Sequence, residues 1–305
     1  MKKSLFQSTA WGKFQAELPS RGKYWLLEAN GGRVLVVRHV LPFGLCWLGI
    51  ERGPILEKKE AWKNLFEQIK KLALKEKAVF VRVEPPSGEN GDLFGGKGWR
   101  KAHAHYQPEW TLRVNLEGTE DEILAQMKPK GRYNIKVAQK NNVTVRASSA
   151  PADVTAFYKI LKQTGGRDGF HIHNEDYYQK FIAAATKNNW GTLYLAEYEG
   201  EVVGGVIATF YGDTGMYYYG ASAYEHRSLM APYLIQWTAM KEAKKQGLKW
   251  YDFLGIAPPD DPKHPWVGIT QFKKKFGGEI VGYEKAREYV FRPLWYLLMR
   301  LKKKF

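Results

Sequence analysis

Three consecutive lysines, Lys273, Lys274 and Lys275, stand between Phe272 and Phe276 in the stretch GITQFKKKFGGE, residues 268–279. Such a run is ordinarily the solvated face of a helix or strand. A cation shielded from water has a different use, since it can stabilise negative charge that develops during a reaction. Other familiar catalytic patterns are missing, since the sequence has no Walker A loop, no GxGxxG after a strand, no GxSxG elbow and no HExxH. The pairs His103/His105 and His171/His173 lack Cys or acidic neighbours at metal-site spacing, so neither a metal nor a cofactor is expected. Cys46, the only cysteine, lies in the apolar run FGLCWLGI and reads as a buried structural thiol. In MYYYGAS, strand alternation would put Tyr217 and Tyr219 on one face. Lys128, Lys130, Arg132 and Lys136 form a basic cluster suited to a phosphate backbone, or simply to a solvated helix face.

The elements that position these residues belong to a chain of 305 residues, enough for two domains with a core each. Its composition is 44% hydrophobic, 14% aromatic and 26% charged, that of a folded protein. The net charge of +16 favours polyanions or anionic lipid headgroups. It is unevenly spread, because residues 268–305 hold ten Lys/Arg against three Glu. The basic N-terminus has no apolar h-region, and no run of about 18 apolar residues is present, which predicts a cytoplasmic protein.

Two halves of the sequence follow one pattern. In the first, KYWLLEA, the turn Asn30-Gly31-Gly32, RVLVVRHV and LCWLGIE read as a three-stranded meander. A helix follows, in which Trp62, Leu65, Phe66, Ile69, Leu72 and Leu74 recur at helical spacing, and then the strand AVFVRVEPP. In the second half TLYLAEYEG, EVVGGVIATFYG and MYYYGAS precede the helix APYLIQWTAMKEAKKQ, which Gly247 stops, and the strand LKWYDFLGI. Gly31 to Arg82 spans 51 residues and Gly200 to Asp252 spans 52, as expected of two copies of one mixed α/β unit. Between them, Thr119 and Glu122 form a capping-box pattern. Further helices are expected around 151–164 and 175–187. The expected domains are residues 1–110, completed by the tail 288–305, and residues 111–287.

A meander, a long helix and a further strand form the core of the acetyltransferase-type (GNAT) fold, and the chain resembles two such domains in tandem, an α/β class with mixed sheets. CoA-using members enter the long helix through a Gly-rich loop that cradles the pyrophosphate. Here that loop reads EHRSLMAPYL: Arg227 is present, the glycines are not, and Pro232 removes an N–H donor. A CoA pocket is therefore disfavoured.

The motifs FQSTAWGKFQ, MKPKGRYNIKVAQKNNVTV, GRDGF, MYYYGAS, APYLIQW, WYDFLGI and FKKKFGG occur in an order that resembles the FemABX-type peptidoglycan-branching aminoacyltransferases, over nearly the whole chain. The resemblance implies an aminoacyl-tRNA donor and a UDP-linked or lipid-linked muramyl-peptide acceptor, attacked at the amine of its third stem-peptide residue. Phe272 and Lys273 match the family's Phe-Lys pair, in which the lysine stabilises the tetrahedral transition state. Lys13, in Trp11-Gly12-Lys13, matches a residue that holds the precursor's phosphates. Tyr177, Tyr217 and Tyr219 match aromatics lining the same groove. Some members have an arginine where this chain has His173, and Arg167 is a nearby substitute. The inserted charged helical hairpin of the best-known members is missing. An acceptor lysine, with a pKa near 10, must lose a proton before attack. Glu84, at the end of FVRVEPP, is a candidate base by position, though the base can also come from substrate or solvent. The basic cluster at 128–136 is the candidate tRNA contact. Leu294, Trp295, Leu297, Leu298 and Leu301, followed by Lys302 to Lys304, suit either an anionic membrane surface or packing on the first domain. Two other readings remain: an N-acyltransferase of the same fold using acyl-CoA or another donor on a non-peptidoglycan amine, and a non-catalytic binder of RNA or anionic envelope components.

Overall fold

The computed structural model describes residues 4–86 and 91–301. In chain order its first elements are α1 (Thr9–Ala16), β1 (Tyr24–Ala29), β2 (Gly32–Val40), β3 (Cys46–Glu51), β4 (Ile55–Leu56), α2 (Ala61–Lys75), β5 (Ala78–Glu84) and β6 (Trp99–Lys101). There follow β7 (Trp110–Asn115), α3 (Glu120–Gln126), α4 (Pro129–Lys140), β8 (Thr144–Ser148), α5 (Pro151–Asp168), α6 (Glu175–Lys187), β9 (Gly191–Tyr198), β10 (Glu201–Tyr211) and β11 (Thr214–Ser222). The last are α7 (Ala231–Lys245), β12 (Trp250–Gly255), α8 (Val267–Lys273), β13 (Glu279–Gly282), β14 (Arg287–Val290) and α9 (Pro293–Leu301). The chain divides into unit 1, Met1–Glu109 with Gly282–Phe305, and unit 2, Trp110–Val281. The return to unit 1 thus comes at 282, ahead of the 288 read from the sequence.

Unit 1 holds a sheet ordered β1-β2-β3-β5-β14-β6, with β4 on β2. One face is covered by α2, whose Trp62, Leu65 and Ile69 pack on Val36, Leu48 and Val81. Unit 2 holds a sheet ordered β13-β7-β12-β11-β10-β9-β8. Its core gathers Ile235 and Met240 of α7 with Phe253 of β12 and Phe276. α3 begins with the full capping box, Thr119 and Glu122 each accepting from the other's backbone.

The two units share the meander, helix and parallel-strand pattern but differ at its last step. In unit 1 the parallel pairing of β3 and β5 runs from Cys46/Ala78 to Glu51/Glu84. In unit 2 the parallel pairing of β11 and β12 covers only Thr214/Trp250 to Met216/Asp252. Beyond that point the strands part, so unit 2 has a splay where unit 1 has a closed ladder.

Candidate active site

Two bulges shape the walls of the splay. On β11, Ile207 of β10 faces Tyr219 and Ala208 faces Tyr217, leaving Tyr218 as the extra residue. The bulge breaks the alternation read from the sequence. Tyr217 packs toward Phe253, while Tyr219 meets Tyr177, Tyr178 and Phe181 of α6. Tyr217 and Tyr219 therefore do not share a face, a correction to the strand reading. The Tyr217 ring lies against its own strand at Gly220, where a Cβ would come within 2.2 Å of its hydroxyl. On β12 the register with β7 shifts between Asp252 and Gly255, and Leu254 takes a left-handed φ of 58°. That conformation is costly for a branched side chain. The Asp252 carboxylate holds it by accepting from the Leu254 amide at 2.7 Å, with the Thr111 hydroxyl at 3.4 Å.

The turned strand end points the Gly255 carbonyl at Lys273, whose Nζ donates to it at 2.6 Å. Nζ also lies 5.3 Å from the centroid of the Tyr217 ring, a cation–π distance. Lys273 is 7% exposed, whereas Lys274 and Lys275 are half-buried. Burial drives its pKa down to about 7, against the opposing pull of Asp252. The same burial pushes the Tyr217 hydroxyl up to about 12, so it stays protonated. Of the three lysines, Lys273 alone is buried.

α8 is fastened around this contact. The Thr270 hydroxyl accepts from the Ala257 amide at 2.8 Å and donates to the Trp266 carbonyl at 2.7 Å, tying the helix to the segment after β12. Phe272 meets Tyr233 edge-on at 5.0 Å, and Phe276 stacks on Tyr233 and sits 4.8 Å from Phe253. The glycine pair that follows has a steric reason: Gly277 and Gly278 have φ of 79° and 87°, and a Cβ on either would lie 2.2 Å from the carbonyl oxygens of Gln126 and Arg113 respectively.

The remaining sequence candidates fall into separate groups. In unit 2, Tyr177 and Tyr219 join hydroxyl to hydroxyl at 3.0 Å, and the His173 ring stacks on Tyr177 at 3.9 Å. Arg167 is engaged by its neighbour Asp168 through two contacts of 2.6 and 2.8 Å, and lies over the Tyr224 ring. Its charge is thus already matched. Lys128, Lys130 and Lys136 are exposed along α4, while Arg132 donates to the Met127 carbonyl and so caps α3. The Lys128 amide donates to the Lys275 carbonyl at 3.0 Å, which sets the basic start of α4 beside the lysine run.

In unit 1, Lys13 is exposed on α1, but Trp11 is enclosed by Phe6 and Phe14. Trp11 belongs to the core there. Glu84 faces Glu51 across the β3–β5 ladder and accepts from the amides of Tyr106 and Gln107, the latter at 3.1 Å. Gln107 also donates to the Glu51 carboxylate at 2.9 Å. Burial first, and Glu51 second, raise the Glu84 pKa to about 7. Such a group takes up and releases protons near neutrality. Its two amide donors also give it a structural task.

Asp252, Thr270 and Tyr233 were not singled out in the sequence. Only Asp252 left a signal there, as the one charged residue in the apolar strand WYDFLGI. Among the described residues no group of three or more His, Cys, Asp or Glu lies close enough to hold a metal ion, and no helix is long and apolar enough to cross a membrane.

A model of the FemAB family matches residues 91–200 and 194–304. Among curated proteins, the lipid II:glycine glycyltransferase of Staphylococcus aureus is 23% identical, with 90% of this chain and 84% of that protein covered. Among solved structures, the crystal structure of FemX superposes with a TM-score of 0.84 at 19% identity, covering 98% of this chain and 95% of that one. A tandem GNAT protein from the clavulanic acid biosynthesis pathway gives 0.55 at 12% identity, covering 88% and 83%. These likenesses show the fold: two GNAT-like domains in tandem.

Proposed function

The chain belongs to the FemAB family, and from that premise we propose that it is an aminoacyltransferase that builds the interpeptide bridge of peptidoglycan, carrying one amino acid from its tRNA to the stem-peptide amine of a muramyl-peptide precursor. The lipid II:glycine glycyltransferase to which it is similar over most of its length supports the acceptor class. The observation that carries the chemistry is Lys273, buried in the splay of unit 2 with its Nζ on the Gly255 carbonyl. We place the enzyme in the cytoplasm at the inner face of the membrane, with the basic C-terminal tail as a point of contact.

In this reading the acceptor amine, once it has lost a proton, attacks the ester carbonyl carbon of the aminoacyl group. A C–N bond forms and the carbonyl oxygen becomes an oxyanion, which the Lys273 ammonium stabilises in a site shielded from water. Collapse breaks the bond to the ribose oxygen, which leaves as a hydroxyl after taking a proton, and the nitrogen sheds its remaining extra proton to give the amide. Glu84 is the candidate proton acceptor. Lys13, His173, Tyr177, Tyr217 and Tyr219 are the candidates for holding the precursor, and the exposed lysines of α4 for holding the tRNA backbone. The start of α7 weighs against CoA as donor. Met230, with a left-handed φ of 57°, precedes it, and Pro232 takes an N–H from its first turn.

The test is the mass of UDP-linked and of lipid-linked muramyl-pentapeptide after incubation with the protein and a mixed pool of charged tRNAs. A gain of one amino-acid residue is expected, abolished by RNase and reduced by roughly 10²–10³-fold in rate in Lys273→Met, the usual cost of losing one oxyanion-stabilising donor. No gain on either precursor, together with saturable CoA binding, would replace this reading with the acyl-CoA one.

A further inference from the structure

Three segments of chain meet at one end of unit 1. The parallel strands β3 and β5 both start there, Cys46 opposite Ala78. The turn Pro42–Gly44 before β3 and the last turn of α2 before β5 therefore lie at that end. The amides of Phe291 and Arg292 both donate to the Val79 carbonyl, which brings the start of α9 alongside.

Each segment turns large apolar side chains to solvent. Phe43 is 82% exposed on a turn residue of left-handed φ, and its ring lies 5.8 Å from Trp295 of α9. Leu74, in the last turn of α2, is 77% exposed. Leu294, Leu297, Leu298 and Leu301 recur at helical spacing on α9 and are between 43% and 71% exposed. The other side of that helix does pack back on the unit, Tyr296 lying buried against Phe80. The packing on the first domain expected of the tail is thus made by one side of α9, while Lys302 to Lys304 lie outside the described residues.

The charges around these side chains have one sign. Lys71, Lys75 and Lys77 are exposed around Leu74, and Arg300 is exposed on α9. The one acid of the α2 end, Glu76, has a nearly buried carboxylate paired with Lys23 and Arg38. Residues 289–305 contain no Asp or Glu at all. Leucines set among lysines and arginines on a surface are the composition of elements that lie in a bilayer interface.

We propose that this end of unit 1, built from the Pro42–Gly44 turn, the end of α2 and α9, is a docking surface for an anionic lipid bilayer. Its partner is read from the pairing of apolar and basic groups. A phosphate backbone is gripped by hydrogen bonds and by stacking on aromatic rings, for which five leucines are useless. A second copy applied to the same patch would set like charges against each other. The bilayer satisfies both sets: the leucines and Phe43 enter the headgroup region, and the lysines and arginines meet anionic headgroups.

The test uses the full chain and vesicles holding neither precursor nor tRNA, so its outcome is independent of the transfer reaction. The protein is expected to sediment with phosphatidylcholine vesicles containing phosphatidylglycerol, to bind pure phosphatidylcholine much less, and to be released by salt. The variant Phe43→Ser/Leu74→Ser/Leu298→Ser changes only exposed positions and is expected to lose roughly tenfold or more in partitioning, with its unfolding midpoint unchanged. Phe43→Ser alone supplies the comparison if the triple variant folds poorly. Equal binding to neutral and anionic vesicles, or equal binding by wild type and variant, would overturn the proposal. So would a concentration-dependent dimer that the substitutions dissolve, which would assign the surface to a second copy.

Discussion

At the scale of single residues, the candidate site turns on a lysine whose ammonium is kept marginally charged. Lys273 has its pKa brought to about 7 by burial, and Asp252 is the group that resists the fall. Deprotonation of an acceptor amine makes transfer rise with pH up to about 10, but loss of charge on Lys273 above about 7 removes oxyanion stabilisation at the same rate. The log of kcat/KM is expected to rise below pH 7 and to level off above it. In Asp252→Asn the amide oxygen still accepts from Leu254, so the bulge is kept while the carboxylate's charge is lost, and the break is expected at lower pH. Lys273→Met is expected to lose the contribution of Lys273, and a break that persists near pH 7 in that variant belongs to Glu84, whose carboxyl is also raised to about 7. A wild-type profile that climbs steadily to about pH 10, or a break that Asp252→Asn leaves in place, would remove Asp252 as the residue that positions and charges Lys273. Tyr217 titrates only at about 12, and Arg113, which pairs with Asp252 in the β7–β12 register, is held by Glu279 at 2.8 Å.

At the scale of elements, the stretch around the lysine run holds glycines of opposite kinds. Gly277 has a left-handed φ and no room for a methyl group, whereas Gly268 lies in α8 with nothing within 4 Å of where a Cβ would be. Gly277→Ala is expected to cost about 2–4 kcal/mol, from the strained backbone and the clash with the Gln126 carbonyl. Gly268→Ala is expected to be neutral or to stabilise by up to about 1 kcal/mol, as Ala does inside helices. Urea unfolding of the two variants separates them, and equal effects would refute the account of how α8 is seated. The comparison also marks how far the sequence could be read. The helices α2, α5, α6 and α7 follow from apolar periodicity, N-terminal prolines and the Gly247 stop, all of them local signals. The bulges at Tyr218 and Leu254 depend on which strand pairs with which, a long-range fact that residue patterns do not carry. Strand alternation therefore misplaced Tyr219 relative to Tyr217, and the capture of Lys273 by the Gly255 carbonyl was invisible, although the lysine itself stood out.

At the scale of the whole molecule, unit 1 is made from the two ends of the sequence. Without β14, β5 would be left with an unpaired edge, a liability that sheets avoid. The strand is held by more than its ladder. Glu288 of β14 is fully buried and takes two contacts from Arg82 of β5, at 2.9 and 2.6 Å, one from the Tyr296 hydroxyl at 2.5 Å, and lies 3.5 Å from His103. Arg82 is itself 4% exposed, so removing the carboxylate leaves a buried cation without its partner. Breaking a buried pair from one side typically costs about 3–5 kcal/mol. Glu288→Ala is expected to destabilise unit 1 by that amount. Hydrogen exchange should then show lost protection in β3, β5, β6 and α9 and unchanged protection in β9 to β12. Protection lost equally from both sheets would mean that residues 282–305 do not serve unit 1 alone. If the loss is confined to unit 1, β14 and α9 complete the first domain while the splay with Lys273 is built wholly within the second.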